Sequence, residues 1–155
     1  MRTFPRFPSP YRALLAERFR WKAWDAVVRR NGMTIDRPAC HPHPDHPSII
    51  YPMDYGYVND TRASDGEPVD VFCGTASTGL IGFIATTDHR QRDREFKLLV
   101  HCTPAEVYTA HGFINYDRTL LEGLLVLRRP MHVLWEEAER SARNVSPTLQ
   151  GDSGI

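Results

Sequence analysis

Lysine is nearly missing from this 155-residue sequence: Lys22 and Lys97 stand against seventeen arginines. Net charge is missing as well, since nineteen basic residues balance nineteen acidic ones. A balanced chain has no overall field to draw it to nucleic acid or to an anionic membrane, so an anionic ligand has to be held by local groups. That argues for a small-molecule site, with neither nucleic acid nor membrane as partner. No apolar run approaches the roughly eighteen residues of a membrane span. Cysteine is scarce too. Cys40, Cys73 and Cys102 are odd in number and lack paired metal-ligand spacing, which excludes a disulfide framework and suits reduced thiols. Residues 1–10, with Pro5, Pro8 and Pro10, lack the apolar stretch of a secretory leader, so a soluble, cytoplasmic protein is expected.

What is present, 41% hydrophobic and 25% charged residues, suffices for one compact domain with a single core. Ser9-Pro10 is a helix start, an N-cap side chain followed by a proline where its missing N–H costs nothing. Leu14, Leu15, Phe19, Trp21, Trp24, Val27 and Val28 recur at helical spacing until Asn31-Gly32 stops the run, which predicts one helical arm over residues 1–32. Beyond it the pattern becomes short β-branched and aromatic runs at 33–36, 49–51, 56–59, 69–73, 80–86, 95–102 and 124–127, separated by turn residues. The proline-dense loop 37–47 forbids regular structure. Thr103-Pro104-Ala105-Glu106 is a capping box that should start a helix running to about His111. A second helix is expected over 133–142, and a flexible tail over 146–155. The whole reads as mainly β within an α+β class: a small β-barrel domain over 33–145 with flanking helices.

Chemistry-bearing residues concentrate in two acidic groups. Asp65 and Glu67 sit in a turn marked by Gly66 and Pro68, and turn chemistry alone accounts for them. Asp70 differs, because it lies between Val69 and Val71 in an apolar strand, where a charge needs a partner. A hard cation such as Mg²⁺ is the natural one, being held by carboxylates, waters and phosphate oxygens. Asp88, Asp93 and Glu95 form the second group, and Asp93, Glu95 and Lys97 alternate so as to share one face of a strand. If the two groups adjoin, their carboxylates require two or more metal ions for neutralisation. Lys97, so rare a residue type here, suits a point-charge contact to phosphate. Tyr51, Tyr55 and Tyr57 are core and rim aromatics whose hydroxyls can donate to a phosphate oxygen.

These residues resemble a known family, the soluble family I inorganic pyrophosphatases. Tyr51-Pro52-x-x-Tyr55-Gly56-Tyr57 followed by Asp65-Gly66-x-Pro68-Val69-Asp70-Val71 looks like that family's main signature, and Asp88 with Asp93 resembles its second acidic pair. Ile35-Asp36-Arg37-Pro38 and Asp93-x-Glu95-x-Lys97 are similar to a short bacterial branch. The resemblance implies a five-stranded OB-type barrel, Mg²⁺ dependence with Mn²⁺ as a substitute, hydrolysis of pyrophosphate to two phosphates, and assembly into a homo-oligomer. Carried over residue by residue, it makes Asp65, Asp70, Asp88 and Asp93 metal ligands and Glu67 the base. Arg37, Tyr55 and Lys97 become phosphate contacts. Spacing leaves Asp93 and Glu95 as alternatives for one ligand position: the first keeps the interval from Asp88, the second the interval to Lys97. Glu67 departs from the family's usual aspartate, and Ala39-Cys40 replaces the short branch's lysine and glycine. Three other readings stand beside this one: a Zn²⁺ or Ni²⁺ site on Cys40, His41, His43 and His46, a degenerate binding module, and a hydrolase of another diphosphate.

Overall fold

A computed structural model describes residues 9–145. The element order is α1 (Ser9–Arg18), α2 (Trp21–Asn31), β1 (Met33–Arg37), β2 (Asp54–Val58), β3 (Asp70–Cys73), β4 (Leu80–Asp88), β5 (Asp93–Val100), α3 (Pro104–Ile114), β6 (Leu121–Leu127) and α4 (Met131–Val145). Residues 146–155, expected as a tail, lie outside the described residues.

The single helix expected over the first thirty-two residues is two helices. Arg20 takes a non-helical conformation (φ −85°, ψ 71°), and the corner is closed by Trp21 Nε1, which donates to the Ala16 carbonyl at 2.8 Å. The cause is tertiary: the break turns the Phe19 ring to within 4.4 Å of Phe83 and 4.6 Å of Trp21, measured between centroids. Aromatic burial of this size outweighs continuing a helix whose hydrogen bonds are individually worth about 1 kcal/mol. Gly32 (φ 73°) ends α2 by donating its N–H to the Val28 carbonyl at 2.9 Å.

Six strands form one sheet in the order β1-β2-β3-β5-β4-β6, all neighbours antiparallel except β3 and β5. The order is consistent with an OB-type arrangement whose sheet is not closed. The resemblance led to five strands in a barrel. Here β6 extends the sheet beyond β4 while β1 pairs only with β2, so the ladder ends at two edges. Both faces are covered. Tyr55, Phe72, Ile84 and Leu99 pack with Val107, Ala110 and Ile114 of α3. On the other side Val71, Phe83, Leu98 and Val126 pack with Leu15, Phe19, Trp24 and Val28 of the first two helices. Strands buried on both faces read as continuous apolar runs, which is how residues 80–84 and 98–100 appear.

Residues 49–51 form no strand. Ile50 makes one isolated bridge to Pro42, because the loop's prolines cannot donate to a longer ladder. The capping box forms as expected: Thr103 Oγ1 accepts from the Glu106 N–H at 3.2 Å, and Glu106 Oε1 accepts from the Thr103 N–H at 2.9 Å. At Gly56 in β2, β1 approaches so closely that a Cβ would run into the Thr34 carbonyl and lie 2.8 Å from the Ile35 Cα.

Candidate active site

The parallel pairing of β3 with β5 places Asp70 opposite Lys97. Two strand positions distant in sequence thereby become an ion pair. Lys97 Nζ donates to Asp70 Oδ2 at 2.8 Å, to Tyr55 Oη at 3.0 Å and to Glu95 Oε2 at 3.2 Å. An ammonium has three N–H donors, so all of them are used. The Lys97 side chain is only 11% exposed. Burial by itself lowers its pKa, but Tyr55 and Asp70 more than offset that and hold it above the ordinary value, fully charged. Tyr55, buried between the strands, has its hydroxyl pushed up mainly by burial, and it remains a neutral donor.

Alternation along β5 puts Asp93 and Glu95 on the same face as Lys97. The turn before β3 brings Asp65 to them: one carboxylate oxygen from each of Asp65, Asp93 and Glu95 lies within 4.8 Å of the others. Among the described residues this is the one group of histidine, cysteine and carboxylate ligands close enough to hold a metal ion. The two alternatives from spacing, Asp93 and Glu95, therefore both belong to it. An all-oxygen donor set of this kind fits a hard divalent cation. Without one, burial first, and then Asp70 and Asp93, push Glu95 up to about 7, although Lys97 works in the opposite sense.

That shift gives a pH prediction with a definite sign. Glu95 keeps its proton in the folded state up to about pH 7, whereas in the unfolded chain it ionises near 4.5. Its contribution to stability is therefore full below pH 4.5 and is lost as pH rises through about 7. A cation held by the three carboxylates favours the ionised form, so Mg²⁺ should raise the melting temperature more at pH 8 than at pH 5.5. Glu95→Gln should flatten that dependence. Equal Mg²⁺ effects at both pH values would contradict it.

The remaining candidates fall outside this group. Asp88 is opposite Asp93 in the β4–β5 register, and its Oδ1 accepts from the N–H groups of Arg90 and Gln91 at 2.9 and 3.1 Å, closing the hairpin. Glu67 is exposed on the rim, with its own N–H donating to Asp65 Oδ1 at 2.9 Å. Arg37 follows an irregularity in the β1–β2 register; its Nη1 donates to Tyr51 Oη at 2.5 Å and its guanidinium lies 5.3 and 5.6 Å from the Tyr51 and Tyr55 ring centroids. Asp54 fastens the loop that follows by accepting the Ala39 N–H at 2.9 Å. In that loop the histidines are used locally: His43 Nδ1 accepts from the Asp45 N–H at 3.0 Å, and His41 Nδ1 is 2.9 Å from the Ala39 carbonyl oxygen. Cys40, Cys73 and Cys102 are all free thiols.

Asp70 and Glu95 bond the Lys97 ammonium, and Glu95 joins Asp65 and Asp93 in a group that could hold a hard cation. No family model and no curated protein matches the chain. Among solved structures it is similar to the inorganic pyrophosphatase of Coxiella burnetii at 16% identity, over 68% of this chain and 90% of that one, with a TM-score of 0.47. It is also similar to the inorganic pyrophosphatase of Thermus thermophilus (16% identity, 72% of this chain and 88% of that one, TM-score 0.42). The enzyme of Helicobacter pylori gives 15% identity, 72% and 92% coverage, and a TM-score of 0.40. At these values the chemistry has to be read from the residues of this chain.

Proposed function

We propose that the protein is a divalent-metal-dependent hydrolase that splits inorganic pyrophosphate into two phosphates. The observation that carries this reading is the Asp65–Asp93–Glu95 group beside a buried, fully charged Lys97, formed from the segments whose motifs resemble the pyrophosphatase signature. Asp65, Asp93 and Glu95 would hold Mg²⁺, or Mn²⁺ in its place, with Asp70 and Asp88 as further ligands taken from the resemblance. Such a cation supplies charge neutralisation on the phosphate and a lowered pKa for a bound water.

The chain's own residues do the rest. Glu67, on the open rim, accepts the proton of the attacking water, reaching one methylene further than an aspartate. Lys97 contacts phosphate by giving up one of its three bonds, and the bond to Glu95 is the longest. Arg37, stacked on two tyrosine rings, presents its remaining N–H groups to the same anion. Its three free thiols suit a reducing compartment, the cytoplasm. Among the described residues no helix is long and apolar enough to cross a membrane.

The test is phosphate release from pyrophosphate with Mg²⁺ or Mn²⁺. Wild type should turn over, and Asp93→Asn should lose roughly 100-fold or more. Glu67→Asp should change kcat more than KM. Absence of release by wild type with either metal would overturn the reading.

A further inference from the structure

Strand alternation separates a second place in the molecule from the carboxylate group. Asp93, Glu95 and Lys97 take one face of β5, and Arg94, Phe96 and Leu98 take the other, which the first two helices cover. The registers of β4 with β5 and β6 set this covered face out in rows. In one row Phe83 lies between Leu98 and Val126, and its ring fills the centre and meets Phe19 at 4.4 Å between centroids. In the next row the central residue, between Phe96 and Leu124, is Ala85. An alanine where the neighbouring row has a phenylalanine leaves a hollow. A cavity of about 800 Å³ opens there, with Leu15, Phe19 and Trp24 on the helix side and Ala85, Phe96 and Leu124 on the sheet side. That volume is in the range of sites for small organic ligands.

Its walls offer an open ring and unmatched positive charge. Phe96 packs edge-on against Phe83 and Phe19, with centroids 5.1 and 6.2 Å away, and stays 48% exposed, so a ring face is left for stacking. Arg12, Arg62 and Arg94 line the cavity, are exposed, and make no ion pair or hydrogen bond through their side chains with another described residue. The acidic groups of the lining are engaged elsewhere: Glu95 bonds Lys97 at 3.2 Å, and Glu122 meets His89 and Arg118 at 3.5 and 3.8 Å. His111, also in the lining, registers the excess charge. Burial first, and then Arg12 and Arg118, hold it below its ordinary value, although a hydrogen bond to the Gly123 backbone works in the opposite sense. Same-face neighbours on a strand stand about 7 Å apart. A ring lying on Phe96 therefore brings an acid group attached to it, directly or by a short arm, to Arg94. Occupants from the chain itself are poorer. The eight residues ahead of α1 carry Arg2, Arg6 and no acidic side chain, and a two-fold contact between copies would set the same arginines toward each other.

We propose that this cavity is a binding site for an aromatic carboxylate, its ring stacked on Phe96 over Ala85 and its acid group held by Arg94, with Arg12 and Arg62 at the rim. A guanidinium suits that acid because it meets a carboxylate with two parallel hydrogen bonds. The ligand stays on the helix-covered face of β5 and touches none of Asp65, Asp93 and Lys97. The site thus stands whether or not the hydrolase reading does.

The probe is 2-naphthoate, titrated calorimetrically into the full chain, with decanoate as the same acid on a body without a ring. Wild type should bind naphthoate one to one, and Arg94→Ala should weaken it roughly tenfold, the scale of one charge-assisted hydrogen bond. Decanoate should bind roughly fivefold more weakly than naphthoate, and Phe96→Ala should erase that difference, because the ring contact is what separates the two acids. Ala85→Leu fills the hollow and should abolish binding of both. Asp93→Asn, on the other face, should leave naphthoate affinity within about twofold. Thermal melts of each variant show whether it is folded, and should Ala85→Leu or Phe96→Ala disturb folding, the exposed Arg94→Ala substitution decides. No binding by wild type at millimolar naphthoate overturns the proposal, and so does an affinity unchanged in Arg94→Ala. Decanoate binding as tightly as naphthoate refutes the ring contact. Loss of naphthoate binding in Asp93→Asn would place the ligand at the carboxylate group instead, and a dimer broken by Phe96→Ala without naphthoate binding would make a second copy the occupant.

Discussion

Replacing Lys97 by methionine is expected to lower the melting temperature by roughly 10 °C, from a loss of about 3 kcal/mol. Methionine keeps the length and apolar packing of the side chain, so the change isolates the ammonium. What it leaves behind is Asp70 and Glu95 facing each other without the cation that bonded both at 2.8 and 3.2 Å. Removing one partner of a buried pair costs more than the pair itself contributes, because the other charge stays desolvated. Asp70 and Glu95 keep 29% and 25% side-chain exposure, which holds the cost to the low end of the usual range, about 3 kcal/mol. Glu95 can also take up a proton, so the loss should be smaller at pH 5.5 than at pH 8. The raised pKa of Lys97 means its stabilisation is present throughout the range below its ordinary value of 10.5 and does not itself bend this pH dependence. Thermal melts at the two pH values with and without Mg²⁺ measure all of this. A variant as stable as wild type in the metal-free state at pH 8 would show that the ammonium is not a structural counter-ion. Phosphate release should fall in the same variant, since the phosphate contact goes with the charge.

The second large effect is expected at Gly56, in a position that contacts no ligand. Gly56→Ala puts a methyl against the backbone of Thr34 and Ile35, atoms that cannot rotate away. Overpacking relieved by a side-chain shift costs roughly 1–3 kcal/mol; relief here has to move a strand, so at least about 3 kcal/mol is expected. Tyr55 moves with it, because it is the preceding residue of the same strand. Urea denaturation should show a lower midpoint, or no cooperative transition at all, and a midpoint unchanged from wild type would refute the close approach of β1 to β2.

Both positions were visible in the sequence for different reasons. Lys97 stood out by rarity, and Gly56 by its place between two tyrosines. Features fixed by near neighbours were legible in general: the Thr103–Glu106 capping box and the stop at Gly32 each involve a few consecutive residues. The break at Arg20 was not, because the force that makes it is the contact of Phe19 with Phe83, sixty-four positions away. The same limit applied to the centre. Spacing offered Asp93 or Glu95 as a ligand. Only the turn that carries Asp65 beside β5 brings both into one group, while Asp70 is bonded to the lysine. Closure into a barrel was carried over from the resemblance, whereas the hydrogen-bonded order leaves β1 and β6 as edges.

The parallel pairing of β3 with β5 also sets when the centre can exist. Asp65 and Asp70 precede the β4–β5 hairpin in the chain, and Asp93, Glu95 and Lys97 belong to it, so no contiguous stretch carries a complete site. Hairpins close in about 1–10 μs, but a parallel pair needs a long loop to be closed first. A nascent or partly unfolded chain therefore has the right residues and no cation affinity. A cation held by Asp65, Asp93 and Glu95 would bind what has finished folding, and by mass action would hold the last ladder shut. Uptake of such an ion would then serve as a clock for refolding, timed by one strand pairing.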